Sequence, residues 1–319
     1  MSKVQLIVNP IAGKGHGSAV VPALEARLRR LGYEPSIFVT QRRGDASAFA
    51  ASLDWRTSLI VVGGGDGTLN EVVNGQTKIP MTIFPVGTGN AFAADQGLRG
   101  TLEAFETLLE TGVVEWFDLG DAGGRKFINM ASGGILGRIH QAFWEGRRGP
   151  DGFVRCLRIA FRILRARAFT PVSVWCDGIL VTRSAWLVVV GNTRTYSPGI
   201  HFTPLASPSD GLLDVCTLPA PSGLNYLRWF LRALRGRPLN PNGAGYTRAR
   251  TVRLTGEGVM CHVDGEFIGP APLSVSVLPR SVPILVPASR RVVAPGRTDS
   301  IRGADFLLAG TNHARALSP

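Results

Sequence analysis

The sequence predicts an α/β N-terminal domain with a parallel sheet, followed by a mostly antiparallel, β-rich second domain. Three observations lead to this fold class. Apolar runs alternate with helix-like segments up to residue 120, and such alternation builds a parallel sheet covered by helices. After Asp118, short apolar runs are separated by turn residues, which is typical of antiparallel sheets. The 319 residues also exceed one ordinary domain, so we expect two.

Elements of the first domain are predicted from periodicity and from the residues that end each segment. Val4–Val8 is a strand, and the apolar spacing over 19–31 predicts a helix that stops at Gly32. Leu59–Val62 is apolar throughout, as in a strand that is buried on both faces. The remaining elements are strands at 35–40 and 81–84 and helices at 45–53, from Leu69 onward, and at 102–109.

Elements of the second domain are mostly short strands, predicted at 126–130, 172–176, 185–190, 213–218, 251–254, 260–263 and 273–277. Two helical stretches, 153–167 and 224–234, interrupt them. After residue 286, Pro, Gly and Arg occur without a sustained period, so we expect partial disorder there. The predicted domains are therefore 1–120 and 121–287, with a C-terminal tail at 288–319.

The composition is that of a globular chain, with 45% apolar and 18% charged residues. No apolar run reaches the roughly eighteen residues of a membrane span, and no signal-peptide pattern precedes the first strand, which predicts a cytoplasmic protein. The four cysteines, at 156, 176, 216 and 261, are too far apart for a metal-ligand or disulfide pattern. We therefore expect neither a zinc site nor a disulfide framework.

The formal net charge of +12 comes mainly from arginine. The segment from Pro221 to Arg253 contains several arginines and no acid. Such an excess suits an anionic partner: nucleic acid, a phosphorylated substrate or an anionic lipid surface. Nucleic acid explains neither the glycine loops nor the acidic motifs of this chain, and no basic motif interleaved with aromatics supports it. We therefore expect no nucleic-acid partner.

The strand at Leu59–Val62 runs directly into a loop of four glycines and one acid, Gly63–Gly67, followed by Thr68. Glycines let backbone N–H groups converge on an anion, and a helical start after such a turn is the context of phosphate sites. Asp66 cannot lie beside phosphate oxygens without a proton, a cation or a distance between them. A magnesium–nucleotide site satisfies that constraint; a loop that merely turns the chain is the alternative.

Three further segments follow predicted strands of the first domain. Asn9-Pro10 with Gly13-Lys14 follows the first strand, Thr40 ends the second, and Gly87–Asn90, with Thr88, follows the fourth. Taken singly, each is equally an ordinary turn or strand end. Because the carboxyl ends of parallel strands lie at one edge of a sheet, we expect these segments to meet there.

Five motifs occur in the order that is seen in the diacylglycerol kinase and sphingosine kinase family, including its bacterial lipid kinases. They are Asn9-Pro10 with Gly13-Lys14, Gly64–Thr68, Gly87–Asn90, Ser209–Asp214 and Val263–Glu266. The chain resembles that family over roughly residues 4–287. The resemblance implies ATP-dependent phosphorylation of a lipid hydroxyl, with magnesium, on a fold related to NAD kinase and phosphofructokinase.

The resemblance also implies site residues in the first domain. Asp66 would organise magnesium near the phosphates, and Asp118 would be another acid near the metal. Members of the family often have an aspartate where this chain has Ala91, so one carboxylate of the metal network is missing. The residues implied to hold the nucleotide are Asn9, Pro10, Gly13, Lys14, Thr40, Gly64, Gly65, Asp66, Gly67, Thr68, Thr88 and Asn90.

In the second domain the resemblance makes Glu266 the general base, with Asp264 as a charged neighbour that raises its basicity. Without the family, Asp264-Gly265 between apolar flanks predicts a type I′ hairpin turn. A second magnesium would take oxygen ligands from Ser207, Asp210 and Leu212. A plain Asp-Gly turn is the alternative for that segment.

Both predicted helices of the second domain have arginines at helical spacing beside apolar and aromatic residues. This pattern suits peripheral association with an anionic membrane surface, where a lipid alcohol would be the acceptor; solvated arginines on a core helix are the alternative. A homodimer is compatible with the sequence. Two rival functions remain open: an NAD kinase-like enzyme with a soluble acceptor, and a non-catalytic lipid-binding or regulatory protein.

Overall fold

The structure, a computed structural model, describes residues 2–76, 78–145, 155, 158–159, 161–163, 170–197, 199–220, 232, 235, 245–289 and 301–302. The chain divides into two compact units. The first comprises Met1–Leu119 with Pro279–Pro319, and the second comprises Gly120–Leu278. Residues 279–287, which the sequence assigns to the second domain, belong to the first unit.

The first unit alternates strands with helices. Its strands are β1 (Lys3–Val8), β2 (Glu34–Val39), β3 (Thr57–Gly64), β4 (Met81–Pro85), the first part of β5 (Val113–Ala122), the last part of β15 (Leu273–Val286) and β16 (Ile301–Arg302). Its helices are α1 (Ala12–Ala19), α2 (Val21–Arg30), α3 (Asp45–Ala51), α4 (Asp66–Gly75), α5 (Ala91–Gln96) and α6 (Leu102–Thr111).

The first unit has the parallel sheet that the sequence predicts, with the strand order β15-β4-β3-β1-β2. The apolar residues of β3, Leu59 to Val62, are completely buried. Val8 lies opposite Gly63, and Gly64 lies opposite Pro85. The loops that follow β1, β3 and β4 therefore begin side by side at one edge of the sheet.

Three helices of the first unit differ from the prediction. α4 begins at Asp66 and not at Leu69, so Gly67 and Thr68 lie in its first turn. α1 was not predicted because its sequence, with three glycines and few large apolar residues, has no helical periodicity. α5 was not predicted because its six residues are too few for a period to be recognised.

The second unit is built from antiparallel strand pairs, as predicted, in the order β14-β13-β7-β9-β8-β12-β15, with β10 between β9 and β11. The end of β5 pairs with β6. The remaining strands are β6 (Arg125–Phe127), β7 (Met130–Gly134), β8 (Val172–Cys176), β9 (Ile179–Gly191), β10 (Leu213–Pro219), β11 (Gly245–Ala249), β12 (Thr251–Thr255), β13 (Met260–Val263) and β14 (Glu266–Pro270).

Helix α7 (Ile135–Glu145) was not predicted. Its residues Ile135, Leu136 and Ile139 are buried against a cluster that includes Trp186 and Leu187 of β9. The segment was missed because two glycines and a run of small residues precede it, which suggests a loop. The helix covers one face of the antiparallel sheet.

The two basic helices predicted at 153–167 and 224–234 lie mostly outside the described residues. Within the first, Arg155, Arg158–Ile159 and 161–163 are helical, and Ile159 is buried. Within the second, Arg232 is helical. Most of the tail at 288–319 is also outside the described residues. In the part of the chain that is described, no helix combines the length and the apolar character needed to cross a membrane.

Candidate functional site

Two glycine loops pack against each other at the carboxyl edge of the parallel sheet. The Gly64 carbonyl accepts hydrogen bonds from the N–H groups of Val86, at 3.0 Å, and Gly87, at 3.2 Å. A Cβ atom at Gly87 would lie only 2.6 Å from the Cα atom of Gly65. The absence of side chains at these positions therefore permits the two loops to touch.

Asp66 joins the same two loops through its side chain. Its Oδ2 accepts from the Ala91 N–H at 2.7 Å, and its Oδ1 accepts from the Phe92 N–H at 3.0 Å. These N–H groups belong to the first residues of α5. Burial raises the pKa of Asp66, and the two hydrogen bonds oppose that rise. Ala91 thus contacts Asp66 through its backbone N–H.

Asn90 presents an unsatisfied acceptor beside Asp66 and the glycines. Its Nδ2 donates to the Gly87 carbonyl, at 2.6 Å, while its buried Oδ1 has no hydrogen-bond partner among the described residues. Its backbone is left-handed, with φ of +51°. Because buried polar atoms are normally paired, this oxygen is suited to a cation or a ligand donor.

The loop after β1 packs onto the other two. Asn9 Nδ2 donates to Thr68 Oγ1, at 3.3 Å, and Asn9 Oδ1 accepts from the Ile11 N–H, at 3.2 Å. A Cβ atom at Gly13 would lie 1.9 Å from the Val86 carbonyl oxygen, so this position requires glycine. The three loops therefore meet as predicted, whereas Gly13 and Lys14 lie in α1 and not in an open turn.

The remaining nucleotide candidates differ in their exposure. Thr40 is buried, and its hydroxyl donates to the Val8 carbonyl, at 3.3 Å. Gly67 and Thr88 are exposed. Pro10 is half-buried beside Asn9. The first-turn N–H groups of α4 have no acceptor within the helix, so they are available to an anion at this edge of the sheet.

Asp118 lies within β5 and is almost fully buried. Its Oδ1 accepts from the Arg280 N–H, at 2.7 Å. Arg280 has φ of +47°, a conformation that is uncommon outside glycine. The carboxylate therefore holds the backbone of β15 at this point of the first unit.

The predicted type I′ turn is confirmed at Asp264-Gly265, where φ is +44° and +81° between β13 and β14. The Asp264 carboxylate accepts from the N–H groups of Ile128, Asn129 and Met130, at 2.9, 3.1 and 2.8 Å. These bonds hold a turn that splits the strand predicted at 126–130 into β6 and β7. Asp264 thus anchors the hairpin that carries Glu266.

Glu266 is the first residue of β14 and forms an ion pair with Arg125 of β6. The side chains are 18% and 40% exposed, so the pair is partly shielded from water and still accessible. A guanidinium beside a carboxylate favours the charged form of the acid. Arg125 was missed by the sequence analysis because nothing local links it to a residue so far along the chain.

The segment predicted to hold a second magnesium is neutralised by an arginine. Asp210 Oδ1 accepts from the Leu212 N–H, at 3.1 Å, and Asp210 also forms an ion pair with Arg248. Arg248 Nε lies 3.7 Å from Asp214 Oδ2. Ser207 makes a side-chain contact with Ser209, at 3.3 Å between hydroxyl oxygens. Arg248 therefore supplies positive charge at Asp210, and the magnesium site at Ser207, Asp210 and Leu212, which would also use backbone carbonyls, stays a prediction.

Asp214 lies in β10, between β9 and β11, and is completely buried. The Tyr246 hydroxyl donates a hydrogen bond to its Oδ1, at 2.6 Å. Burial raises the pKa of Asp214 to about 6, and the bond from Tyr246 opposes the rise. The cluster of Asp210, Asp214, Tyr246 and Arg248 is therefore a polar network that fixes the loop before β10.

Replacing Arg248 with methionine is expected to lower the free energy of unfolding by about 2 kcal/mol, because two buried acids lose their cation. Arg248 is 40% exposed, which keeps the loss below that of a fully buried pair. Urea unfolding followed by fluorescence measures the change. Arg253→Met, on the exposed face of β12, is the control. An equal loss of stability in Arg253→Met would contradict this account.

Two histidines whose rings are in contact lie beside the Asp264-Gly265 turn. The rings of His140 and His262 are 3.9 Å apart between centroids, and His140 Nε2 lies 2.9 Å from the Tyr196 hydroxyl. Burial lowers the pKa of His140 to about 4 and lowers that of His262 as well. Both ring nitrogens of His262 are buried without a hydrogen-bond partner among the described residues. The pair is therefore neutral in the folded protein near pH 7.

Acidification is expected to destabilise the fold through this pair. Unfolded histidine titrates near 6.5, so between pH 6.5 and about 4 the unfolded state binds more protons and the free energy of unfolding falls. His262→Leu removes one of the groups, and urea unfolding at pH 7.5 and pH 5 tests the effect. Between pH 7.5 and pH 5, the free energy of unfolding should fall less in the variant than in wild type. An equal fall in both proteins would contradict this assignment.

Comparison with known proteins identifies relatives of both units. The model of the family described as diacylglycerol kinase catalytic domain matches residues 3–122. The family model described as YegS C-terminal NAD kinase beta sandwich-like domain matches residues 147–286. The two matches leave residues 123–146 between them.

Full-length relatives and solved structures agree with the family models. A diacylglycerol kinase of Mycobacterium tuberculosis strain H37Rv is 30% identical over 298 residues, covering 90% of this chain and 96% of the relative. One from Bacillus subtilis strain 168 is 29% identical, covering 91% and 98%. A crystal structure of a diacylglycerol kinase from Bacillus anthracis strain Sterne matches with a TM-score of 0.69 and 26% identity, covering 90% and 98%.

Proposed function

Because the chain belongs to the diacylglycerol kinase family, a family of ATP-dependent phosphotransferases that act on an alcohol, we propose that it transfers the γ-phosphoryl group of ATP to a diacylglycerol-like or sphingoid lipid. The observation that carries the proposal is the meeting of three glycine-bearing loops around Asp66 at one edge of a parallel sheet. Such an edge is where nucleotides bind in α/β folds.

The first unit holds the donor in this proposal. The amides of Gly65–Gly67 at the start of α4 are proposed to face the phosphates, and Lys14 is proposed to bind the nucleotide on the strength of its sequence position after β1. Thr88 is exposed and contacts the nucleotide from the loop after β4. Asn9 and Thr68, which hydrogen-bond to each other, keep two of these loops in position, and Thr40 supports the end of β1.

Asp66 and the Asn90 side chain are the groups that would hold a magnesium ion in the first unit, whereas the role of Asp118 near the metal stays a prediction, since its Oδ1 accepts from the Arg280 N–H. The fit rests on the unpartnered Asn90 Oδ1 and on the free lone pairs of the Asp66 carboxylate. When bound, magnesium neutralises charge on the phosphate oxygens. One or two protein oxygens suffice, since magnesium takes its other ligands from phosphates and water.

Glu266 is the proposed general base, which takes the proton from the lipid hydroxyl as that oxygen bonds to the γ-phosphorus and ADP leaves. Asp264 and Arg125 are positioning residues. Asp264 fixes the turn through three backbone N–H groups, and Arg125 holds the Glu266 carboxylate in place through their ion pair. This role for Asp264 replaces that of a free charge beside the base.

Labelled ATP tests the function directly. Purified protein is incubated with magnesium and, in parallel, with diacylglycerol, sphingosine, ceramide or NAD, and each product is identified by mass. We expect label in a lipid phosphate. NAD is included because the second family model carries an NAD kinase description. Exclusive labelling of NAD would overturn the lipid acceptor, and no labelling of any acceptor would favour a regulatory protein.

Peripheral binding to an anionic membrane surface is also part of the proposal, since a lipid acceptor resides in a bilayer. The net charge of +12 supports it. A homodimer remains a prediction, and sedimentation of the purified chain measures it.

A further inference from the structure

The hairpin formed by β8 and β9 exposes large apolar side chains at its tip. Trp175 is 37% exposed, Ile179 71% and Val181 41%. They flank a two-residue turn, Asp177-Gly178, in which φ is +48° and +80°. Ile179 pairs with Cys176 and Trp175 pairs with Leu180, so Ile179 and Trp175 lie on opposite faces of the hairpin and flank its tip from both sides.

Arginines surround this tip. Arg253 of β12 lies directly opposite Trp175 of β8, so the two side chains project from the same face of the sheet. Arg183 and Arg250 are exposed as well. Within the part of the chain that the structure describes, no carboxylate forms a salt bridge with any of these three arginines. Their charges are therefore available to an external anion.

Asp177, the one acid in the hairpin sequence, is occupied by the protein. Its carboxylate accepts from the N–H groups of Arg250, at 3.0 Å, and Thr251, at 2.8 Å, and from the Thr251 hydroxyl, at 3.1 Å. These bonds tie the tip to β12. They also weaken the repulsion that a free carboxylate would cause near an anionic surface.

We propose that the β8–β9 tip, defined as Trp175, Ile179 and Val181 with Arg183, Arg250 and Arg253, is a docking surface for an anionic lipid bilayer. Tryptophan favours the interface between water and lipid, aliphatic side chains enter it, and arginines attract anionic headgroups. The inference deepens the proposed function, because it rests on an acceptor that is presented in a bilayer.

A bilayer suits this surface better than a protein partner does. A stable protein interface buries about 1,600 Å² in total, with some twenty residues on each side. The tip offers three apolar side chains at a turn, which is enough for shallow insertion but small for a protein partner. The surrounding positive charge matches an anionic headgroup layer.

Cosedimentation of the full chain with vesicles tests the proposal without requiring catalysis. Vesicles of phosphatidylcholine alone and of phosphatidylcholine with phosphatidylglycerol are compared. The double variant Trp175→Ser, Ile179→Ser should bind the anionic vesicles about tenfold more weakly than wild type. Trp55→Ser is the matched control, since Trp55 is 67% exposed in the first unit, and it should bind like wild type. Arg253→Gln should reduce binding and its salt dependence.

Equal vesicle binding by wild type and the double variant would overturn the proposal. So would a loss of vesicle binding in the Trp55→Ser control as large as that in the double variant. A wild-type dimer that the double variant converts to monomers would also overturn it. The last result would assign the tip to a second copy of the chain. Failure of the kinase proposal is read separately, because it would show as absent lipid phosphorylation with vesicle binding intact. Activity on a short-chain, monomeric acceptor should be unchanged in the double variant, whereas activity on the same acceptor class in vesicles should fall.

Discussion

Replacing Asp66 with alanine is expected to reduce phosphoryl transfer by about 10³-fold or more, because the charge that would organise magnesium at the phosphates is lost. The variant should still fold. It leaves the Ala91 and Phe92 N–H groups at the start of α5 without their acceptor, which costs about 1 kcal/mol, as for a lost helix cap. Initial rates with labelled ATP measure the first effect, and urea unfolding measures the second.

Asp66→Asn separates the two roles of this side chain. The amide oxygen still accepts from one N–H group of α5, whereas the negative charge is gone. We therefore expect stability close to wild type and activity as low as in Asp66→Ala. Calorimetry with ATP should show that magnesium strengthens ATP binding to wild type and has little effect on Asp66→Asn.

Glu71→Gln is the matched control for Asp66. Glu71 lies on the same helix, α4, and its carboxylate accepts from the Gly44 N–H, at 3.1 Å, away from the glycine loops. Glutamine keeps an acceptor there, so activity should persist. Full activity in Asp66→Ala, or an equal loss in Glu71→Gln, would remove Asp66 from the proposed mechanism.

The fold class and the meeting of the three loops could be predicted from the sequence because both follow from local patterns. A run such as Leu59–Val62 encodes a buried strand, and parallel strands then bring their carboxyl ends to one edge. The turn at Asp264-Gly265 was equally readable, since those two residues favour positive φ. In each case, neighbouring residues carry the information.

The ion pairs could not be predicted, because they join residues that are distant along the chain. Arg125 contacts Glu266 only after β6 and β14 are assembled into the same unit. Arg248, on β11, contacts Asp210 only after β11 pairs with β10. The second pair changes the chemistry of its segment, since it supplies the charge that a divalent cation was expected to bring. Similarly, Asp264 looked like a partner of Glu266 but is engaged by backbone N–H groups.

Glu266→Gln is expected to lower kcat by about 10²- to 10⁴-fold, the range for loss of a general base, with the KM for ATP unchanged. Glutamine keeps the shape of the side chain and an oxygen that can accept from Arg125, so β14 and its turn should stay in place. Initial rates over a range of ATP and lipid concentrations separate kcat from KM. Glu257→Gln, an exposed acid between β12 and β13, is the control and should be fully active.

The ion pair with Arg125 gives the same prediction a second readout. If Glu266 must be deprotonated to act, the acidic limb of the kcat/KM profile reports its ionisation, and the positive charge of Arg125 favours the ionised form. Arg125→Met should therefore move the acidic limb to higher pH while retaining substantial activity above it. If another residue were the general base, the acidic limb would not move in Arg125→Met and kcat would not change in Glu266→Gln. Either result would assign the proton acceptor to a different residue.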